Sequence, residues 1–357
     1  MAKETDGQQK KDPELTFNRA LRDEFEKLLL ESEPLLRLLR SPGQLNVKHQ
    51  PPVTFDTQLR RGDVVSICAG LTKVLDLRYL RNGCFSASAD PAYQRQNCAV
   101  QFEVFKGFTR AQLEAKVAAW ATYLGKVQVG ERQYRKEGAW QAWLAHRAFL
   151  GISQPWVLAD REAELEGLVG DHLAAVAKAR KDIAAAVLRD PLFGKRQNPI
   201  NEDRGGGADF VGVTPDGNLA LIEVKHGGNG GPCYCTPIQI GGYAALWSRA
   251  LGAPKAYENV VKPIQKLLEQ KRRLGLLPDG PGLSDAPRLD PSVVIAEPNL
   301  RSTVWRGPRL LARVWAAARG TNTEWAPRTR FFVCDANRFE LREVTTELAE
   351  GRDVKPA

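Results

Sequence analysis

Three residues in the second half of the chain have the types and spacing for phosphoryl chemistry. Asp209 opens a short apolar run, 208–213, and Glu223 and Lys225 close a second, 219–225. Between the runs stands Thr214-Pro215-Asp216-Gly217-Asn218. Proline presets φ and glycine accepts positive φ, so this stretch predicts the turn of a β-hairpin. Alternate residues of a strand share a face, which points Glu223 and Lys225 the same way. At the open end of a hairpin the start of one strand lies beside the finish of the other, which carries Asp209 to them. Two carboxylates without histidine or cysteine suit a hard cation such as Mg²⁺ or Mn²⁺ that also takes phosphate oxygens and water. Such a cation polarises a phosphoryl group and acidifies bound water. The lysine is then suited to orient that water or to offset charge developing on the phosphate. A solvated cluster of ion pairs on an exposed sheet is the bland alternative, and would contribute little stability. Leu219, Leu221, Ile222 and Val224 argue instead for a central strand, where charges at the end serve a purpose.

Asp209, followed after a short hairpin by Glu223-Val224-Lys225, resembles the PD-(D/E)xK nuclease superfamily, with Ala208 where the family often has proline. Two further stretches extend the likeness over 161–251. Gln239-Ile240-Gly241-Gly242-Tyr243 resembles the QxxxY element of RecB-type members, and Glu162-Ala163-Glu164-Leu165-Glu166 resembles the family's ExxL helix. The resemblance implies a restriction-endonuclease-like α/β domain, a mixed central sheet flanked by helices. It makes Asp209 and Glu223 metal ligands, with Glu162 as a further carboxylate and Glu166 in reserve. It implies that Lys225 serves the nucleophile or the transition state, that Gln239 orients the metal site or water, and that Tyr243 contacts the substrate backbone. The activity implied is Mg²⁺- or Mn²⁺-dependent hydrolysis of phosphodiesters in DNA, or less readily RNA, in repair, recombination or defence against foreign DNA. The rival reading is a nucleic-acid-binding or scaffold subunit that keeps the fold without hydrolysis. A homodimer or partner proteins are further expectations.

The elements that must position these residues follow from periodicity. Residues 160–181, rich in Ala, Glu and Leu, predict a helix ahead of the hairpin, and 237–251 a helix after it. A basic helical region follows at 256–274, interrupted near Pro263. Residues 292–296 read as a buried strand, 308–318 as a helix and 330–344 as a closing hairpin around Asn337, so strands and helices interleave in an α/β domain with a mixed sheet. Upstream, 15–39 has helical spacing with a kink or restart at Pro34. Residues 64–68 and 99–105 read as strands, and 111–124 and 137–150 as helices. Trp140, Trp143, Leu144 and Ala148 share one helical face and are read as core rather than as a base-stacking platform. The expected organisation is a tail at 1–13, an α+β N-terminal domain of unassigned role at 14–153, the nuclease-like domain at 154–346 and a tail at 347–357.

A net charge of +9 and a pI near 9.3 favour an anionic partner, because clustered Lys and Arg release counterions from phosphate. The basic stretch supplies Lys262, Lys266, Arg272 and Arg273, and His226 adjoins Lys225, so these are the candidate nucleic-acid contacts. The glycine runs 205–207 and 227–231 match no nucleotide-binding fingerprint and are read as flexible substrate-facing loops. Cys233-Tyr234-Cys235 near His226, even with Cys84 and Cys98, lacks the spacing of a structural zinc site. The absence of CxxC pairs, of a secretory leader and of a long apolar run gives the expectation of a soluble, cytoplasmic protein.

Overall fold

The computed structural model describes residues 14–43, 55–70, 72–80, 83–90, 105–127, 136–149, 154–193, 207–228, 230–334 and 340–354. Among them two sheets form. Strands β1 (Phe55–Arg60), β2 (Val64–Ala69), β3 (Thr72–Tyr79), β4 (Phe85–Ala89) and β5 (Phe105–Phe108) pair in sequence order as an antiparallel meander. The second sheet is mixed and six-stranded, in the order β11–β10–β9–β8–β7–β6. Its strands are β6 (Val157–Ala163), β7 (Ala208–Val213), β8 (Leu219–His226), β9 (Leu289–Ala296), β10 (Arg330–Cys334) and β11 (Leu341–Glu343).

The expected hairpin is β7–β8, in register from Val213–Leu219 to Phe210–Ile222. Strand β8 then runs parallel to β9, and β9 parallel to β10, with β11 closing the edge antiparallel. Parallel neighbours require crossovers, supplied by α6 (Gly230–Leu251) and α7 (Lys262–Arg273) between β8 and β9 and by α8 (Leu310–Thr321) between β9 and β10. Every residue of β8 is buried, as are all but one of β9, so this sheet is covered on both faces. Helix α5 (Gly170–Leu188) packs with α6 and α8, while α4 (Lys136–Phe149) lies against β1, β6 and β8. Side chains of both sheets belong to one continuous hydrophobic cluster.

Several expectations shift in detail. The helix read at 15–39 is two, α1 (Asp23–Glu31) and α2 (Glu33–Arg40), because Pro34 lies in the first turn of α2, where its missing N–H costs nothing. Helix α3 (Arg110–Lys126) starts at a Thr109–Gln112 capping box. The strand read at 99–105 lies outside the described residues except for Phe105. Residues 160–181 are not one helix: 157–163 form strand β6 against β7, and α5 begins only at Gly170. Leu158, Ala159 and Ala163 are buried by that pairing, so tertiary packing overrides the helical composition. Helix α6 begins at Gly230, seven residues before the expected start, with Pro237 inside it. The last expected tail carries the end of α9 (Thr345–Ala349) and buries Val354. None of the described helices is long and apolar enough to cross a membrane.

Two glycines are required by close approach rather than by flexibility. A Cβ at Gly227 would fall 2.3 Å from Glu297 O and 2.5 Å from Pro298 Cα, and one at Gly207 would fall 2.3 Å from Ala163 O. Both flank the hairpin, so neither end of it has room to drift. Of the two glycine runs read as loops, Gly205, Gly206 and Asn229 lie outside the described residues. Replacing Gly227 by alanine is expected to lower the unfolding free energy by about 1–3 kcal/mol, read as a lowered urea midpoint. An unchanged midpoint would show that this strand end relaxes freely.

Candidate active site

Asp209 and Glu223 occupy the positions just beyond the last ladder pair of the hairpin, Phe210–Ile222. Asp209 Oδ2 accepts the Val224 backbone N–H at 2.7 Å, so this carboxylate takes up the next ladder position and is held against β8. Glu223 is 1% exposed and its Oε1 meets the Lys225 ammonium in a short contact. The three residues that the hairpin spacing brings together are therefore together.

A fourth charged group arrives from outside the hairpin. Lys225 Nζ also lies 3.4 Å from Glu137 Oε1, at the start of α4. Trp140, one turn on, donates its indole N–H to Glu297 Oε1 at 3.0 Å, and Glu297 Oε2 lies 3.5 Å from His226 Nε2. The Trp140–Glu297–His226 chain thus docks α4 at the end of β8, and Glu137 sits where the next lysine can reach it. Sequence reasoning missed Glu137, although it lies three residues before Trp140 on the same helical face. Arg180 of α5 was also missed. Its guanidinium lies 5.3 Å from the Tyr243 ring centre, and its charge favours the ionised form of Glu223.

Gln239 and Tyr243 lie one turn apart on α6, and Gln239 Nε2 donates to Tyr243 Oη at 3.3 Å. Burial and then the Glu223 carboxylate hold the Tyr243 hydroxyl above its ordinary titration range. Both α6 residues therefore border the acidic cluster.

Electrostatically the cluster is short of positive charge. Burial, then Glu223, pushes the Asp209 carboxyl well above the usual range, with Lys225 and the Val224 N–H opposing. Burial also raises Glu223, against the pull of Lys225. Burial alone would lower Lys225, but Glu223, Asp209 and Glu137 together outweigh it and raise the ammonium. Glu223 Oε2 is buried without a hydrogen-bond partner among the described residues. A buried carboxylate oxygen left unpaired is costly. An all-oxygen donor set of this kind fits Mg²⁺ or Mn²⁺. Among the described residues no group of three or more His, Cys, Asp or Glu side chains converges as ready-made ligands, because the Lys225 ammonium stands between these carboxylates.

Other expected site residues are placed differently. Glu162 is on strand β6 with φ of 51°, not on a helix, and its carboxylate lies 3.6 Å from Arg60 Nη2. Glu166 pairs with Arg61 at 3.2 Å, and its backbone bridges to Thr16. Glu162 does line the same open cleft of about 560 Å³ as Asp209, together with Arg19, Arg60, Arg61, Lys73 and Arg78. The helical candidates for nucleic-acid contact do not line that cleft. Lys266 pairs with Asp23 and Arg273 with Glu26, tying α7 to α1, while Lys262 pairs with Glu258 and Arg272 donates to Pro281 O. His226 is buried, with Nδ1 accepting the Gly228 N–H at 3.0 Å. Cys233 donates to His226 O, and burial pushes its thiol up to about 12.

The raised carboxyls give a signed pH dependence. Asp209 and Glu223 bind protons more tightly folded than unfolded, so their destabilising effect is absent below the ordinary carboxylate range and grows as pH rises to the raised folded values. Asp209→Asn is therefore expected to melt higher than the wild type at pH 7.5, with the gain shrinking toward pH 4. An equal gain at both pH values would show that charge is not the cause. Compared with protein-family models, with curated proteins and with solved structures, this chain matches none, so the functional reading of the site rests on its geometry.

Proposed function

We propose that the chain is a metal-dependent nuclease, hydrolysing phosphodiesters of DNA and less readily of RNA, with a restriction-endonuclease-like core of the PD-(D/E)xK kind. The observation that carries this reading is the undercompensated carboxylate pair, half-buried Asp209 and buried Glu223, held beside Lys225 at the open end of one hairpin. Asp209 and Glu223 would hold Mg²⁺ or Mn²⁺, with Glu137 rather than Glu162 the nearer further acid. When bound, the cation supplies Lewis-acid polarisation of the phosphoryl group and a more acidic water.

The protein's own groups account for the rest. The Lys225 ammonium, paired with Glu223 and Glu137, would donate to the attacking water or to a non-bridging phosphate oxygen. Arg180 and Lys225 are the cations at hand to offset charge on the phosphate in the transition state. Gln239 donates to the Tyr243 hydroxyl, to which this reading gives a contact with the substrate backbone. The cleft beside Asp209, with Arg61, Lys73 and Arg78 on its wall, offers phosphate contacts for a strand leading to the site.

A second reading has its own observation. Lys225 already pairs with Glu223 and Glu137, which is what a purely structural ion-pair cluster, or a fold-keeping binding subunit, would show. Labelled single-stranded, duplex and branched DNA and RNA, incubated with Mg²⁺, Mn²⁺ or EDTA, separate the readings. The nuclease reading expects cutting that EDTA abolishes and that Lys225→Ala or Glu223→Gln, folded by circular dichroism, reduces about a hundredfold or more. Cation-independent binding with no cutting of any substrate would select the binding subunit. Neither binding nor cutting would select the structural cluster.

A further inference from the structure

Away from the carboxylate pair, the contact zone between β1, α4, β6 and α7 encloses a cavity of about 250 Å³. Its walls are largely apolar, formed by Leu39, Phe55, Leu158, Phe210, Leu276 and Leu277. One side chain among them is unexpected: Lys271, which helical spacing places in the basic stretch, is only 3% exposed. The ammonium donates to Gln58 Oε1 at 3.1 Å and to Ala159 O at 2.7 Å. Among the described residues these are its two acceptors, and both are uncharged.

The neighbouring carboxylates are engaged elsewhere. Asp56 accepts from Arg161 Nη1 at 2.9 Å and from Gln58 Nε2 at 2.6 Å. Asp160 is shared by Arg60 and Arg19, each at 3.2 Å. Arg60, Arg161 and Lys271 thus face two buried carboxylates, which leaves Lys271, on the cavity wall with Asp56, Asp160 and Arg40, without a carboxylate hydrogen bond of its own. Burying an ammonium without a hydrogen-bonded counterion is unfavourable, and neutral contents of the cavity do nothing to relieve it. A cavity of ~150 Å³ lined by aliphatic and aromatic side chains admits benzene. The larger volume here admits such a ring with a carboxylate attached.

We propose that this cavity is a binding site for a small carboxylate with an apolar body, whose anionic group is received by Lys271 and whose hydrocarbon part lies among the leucines and phenylalanines. The site is separate from the carboxylate pair and does not depend on any nuclease activity. It also has a pH signature. Burial pushes Lys271 down to about 8, with Asp160 and Asp56 opposing and Arg60 assisting. The other groups around it are Cys68 from β2, whose thiol burial pushes up to about 12, and, lining the same cavity, His146 from α4, which burial holds low, and Arg40 from α2, which donates to Leu274 O. A bound carboxylate raises Lys271, so binding takes up a proton above about pH 8. Affinity is expected to fall as pH rises beyond that value, by up to about tenfold per unit.

Isothermal titration of the full chain with benzoate and hexanoate at pH 6.5, 8 and 9.5 tests this, with methyl benzoate and benzylamine as neutral and cationic probes. The expected result is saturable binding of one or both acids, weakening above pH 8, and no comparable binding of the ester or the amine. Lys271→Met is expected to weaken the acids by about tenfold to a hundredfold. Ala145→Phe, which fills the cavity and leaves every charge in place, is expected to abolish binding; both variants are checked by circular dichroism. Absence of acid binding by the wild type, equal binding of acid and ester, or affinity that ignores pH would each overturn the proposal, whether or not the variants fold.

Discussion

Two carboxylates forced into one corner, Glu223 buried and Asp209 half-buried, set the terms for everything around them. The ladder of β7 and β8 leaves Asp209 and Glu223 side by side, and neither can move away, because Gly207 and Gly227 seat the strand ends against Ala163 and Glu297. Coulomb repulsion between them is strengthened by burial. The fold answers with Lys225 two residues along, with Arg180 from α5, and with a hydrogen bond from the β8 backbone. Yet it also brings in a third acid, Glu137, where a purely stabilising design would bring another cation. Such an excess of negative charge is the pattern expected where an external cation completes the balance.

The legible part of the site was local. Turn chemistry at Pro215-Asp216-Gly217 and the two-residue alternation of Glu223 and Lys225 depend only on neighbours in the chain, and the hairpin formed as read. Gln239 and Tyr243 likewise share a helix face because they are four residues apart. What could not be read required knowing which elements meet. Glu162 sits in alanine- and glutamate-rich sequence that prefers helix, but pairing with β7 makes it a strand. Glu137 is distant in sequence and enters the site only because α4 docks through Trp140, Glu297 and His226.

Charge behaved in the same way. The basic stretch at 256–274 forms the helix its composition suggests, but α1 presents Asp23 and Glu26 to it, so Lys266 and Arg273 hold two helices together. Lys271, two residues from exposed Glu269 and Arg273, turns inward to β1 and β6. The cations that border Asp209 come instead from the segment ahead of α1, from β1, from the β1–β2 turn and from β3, and no single stretch of sequence advertises them. A basic composition thus suggests an anionic partner without indicating where it would lie.

Pro237 adds a mechanical property to the wall of the site. It lacks the N–H that would bond Cys233 O one turn back, and the Thr236 hydroxyl takes that carbonyl instead, at 2.6 Å. Helix α6 therefore stays continuous through the proline with one backbone bond fewer, and the Thr236 hydroxyl satisfies the carbonyl left over. Cys233, one turn ahead of the proline, is buried and its thiol donates to His226 O at 3.3 Å, so the first turns of α6 are fastened to the end of β8.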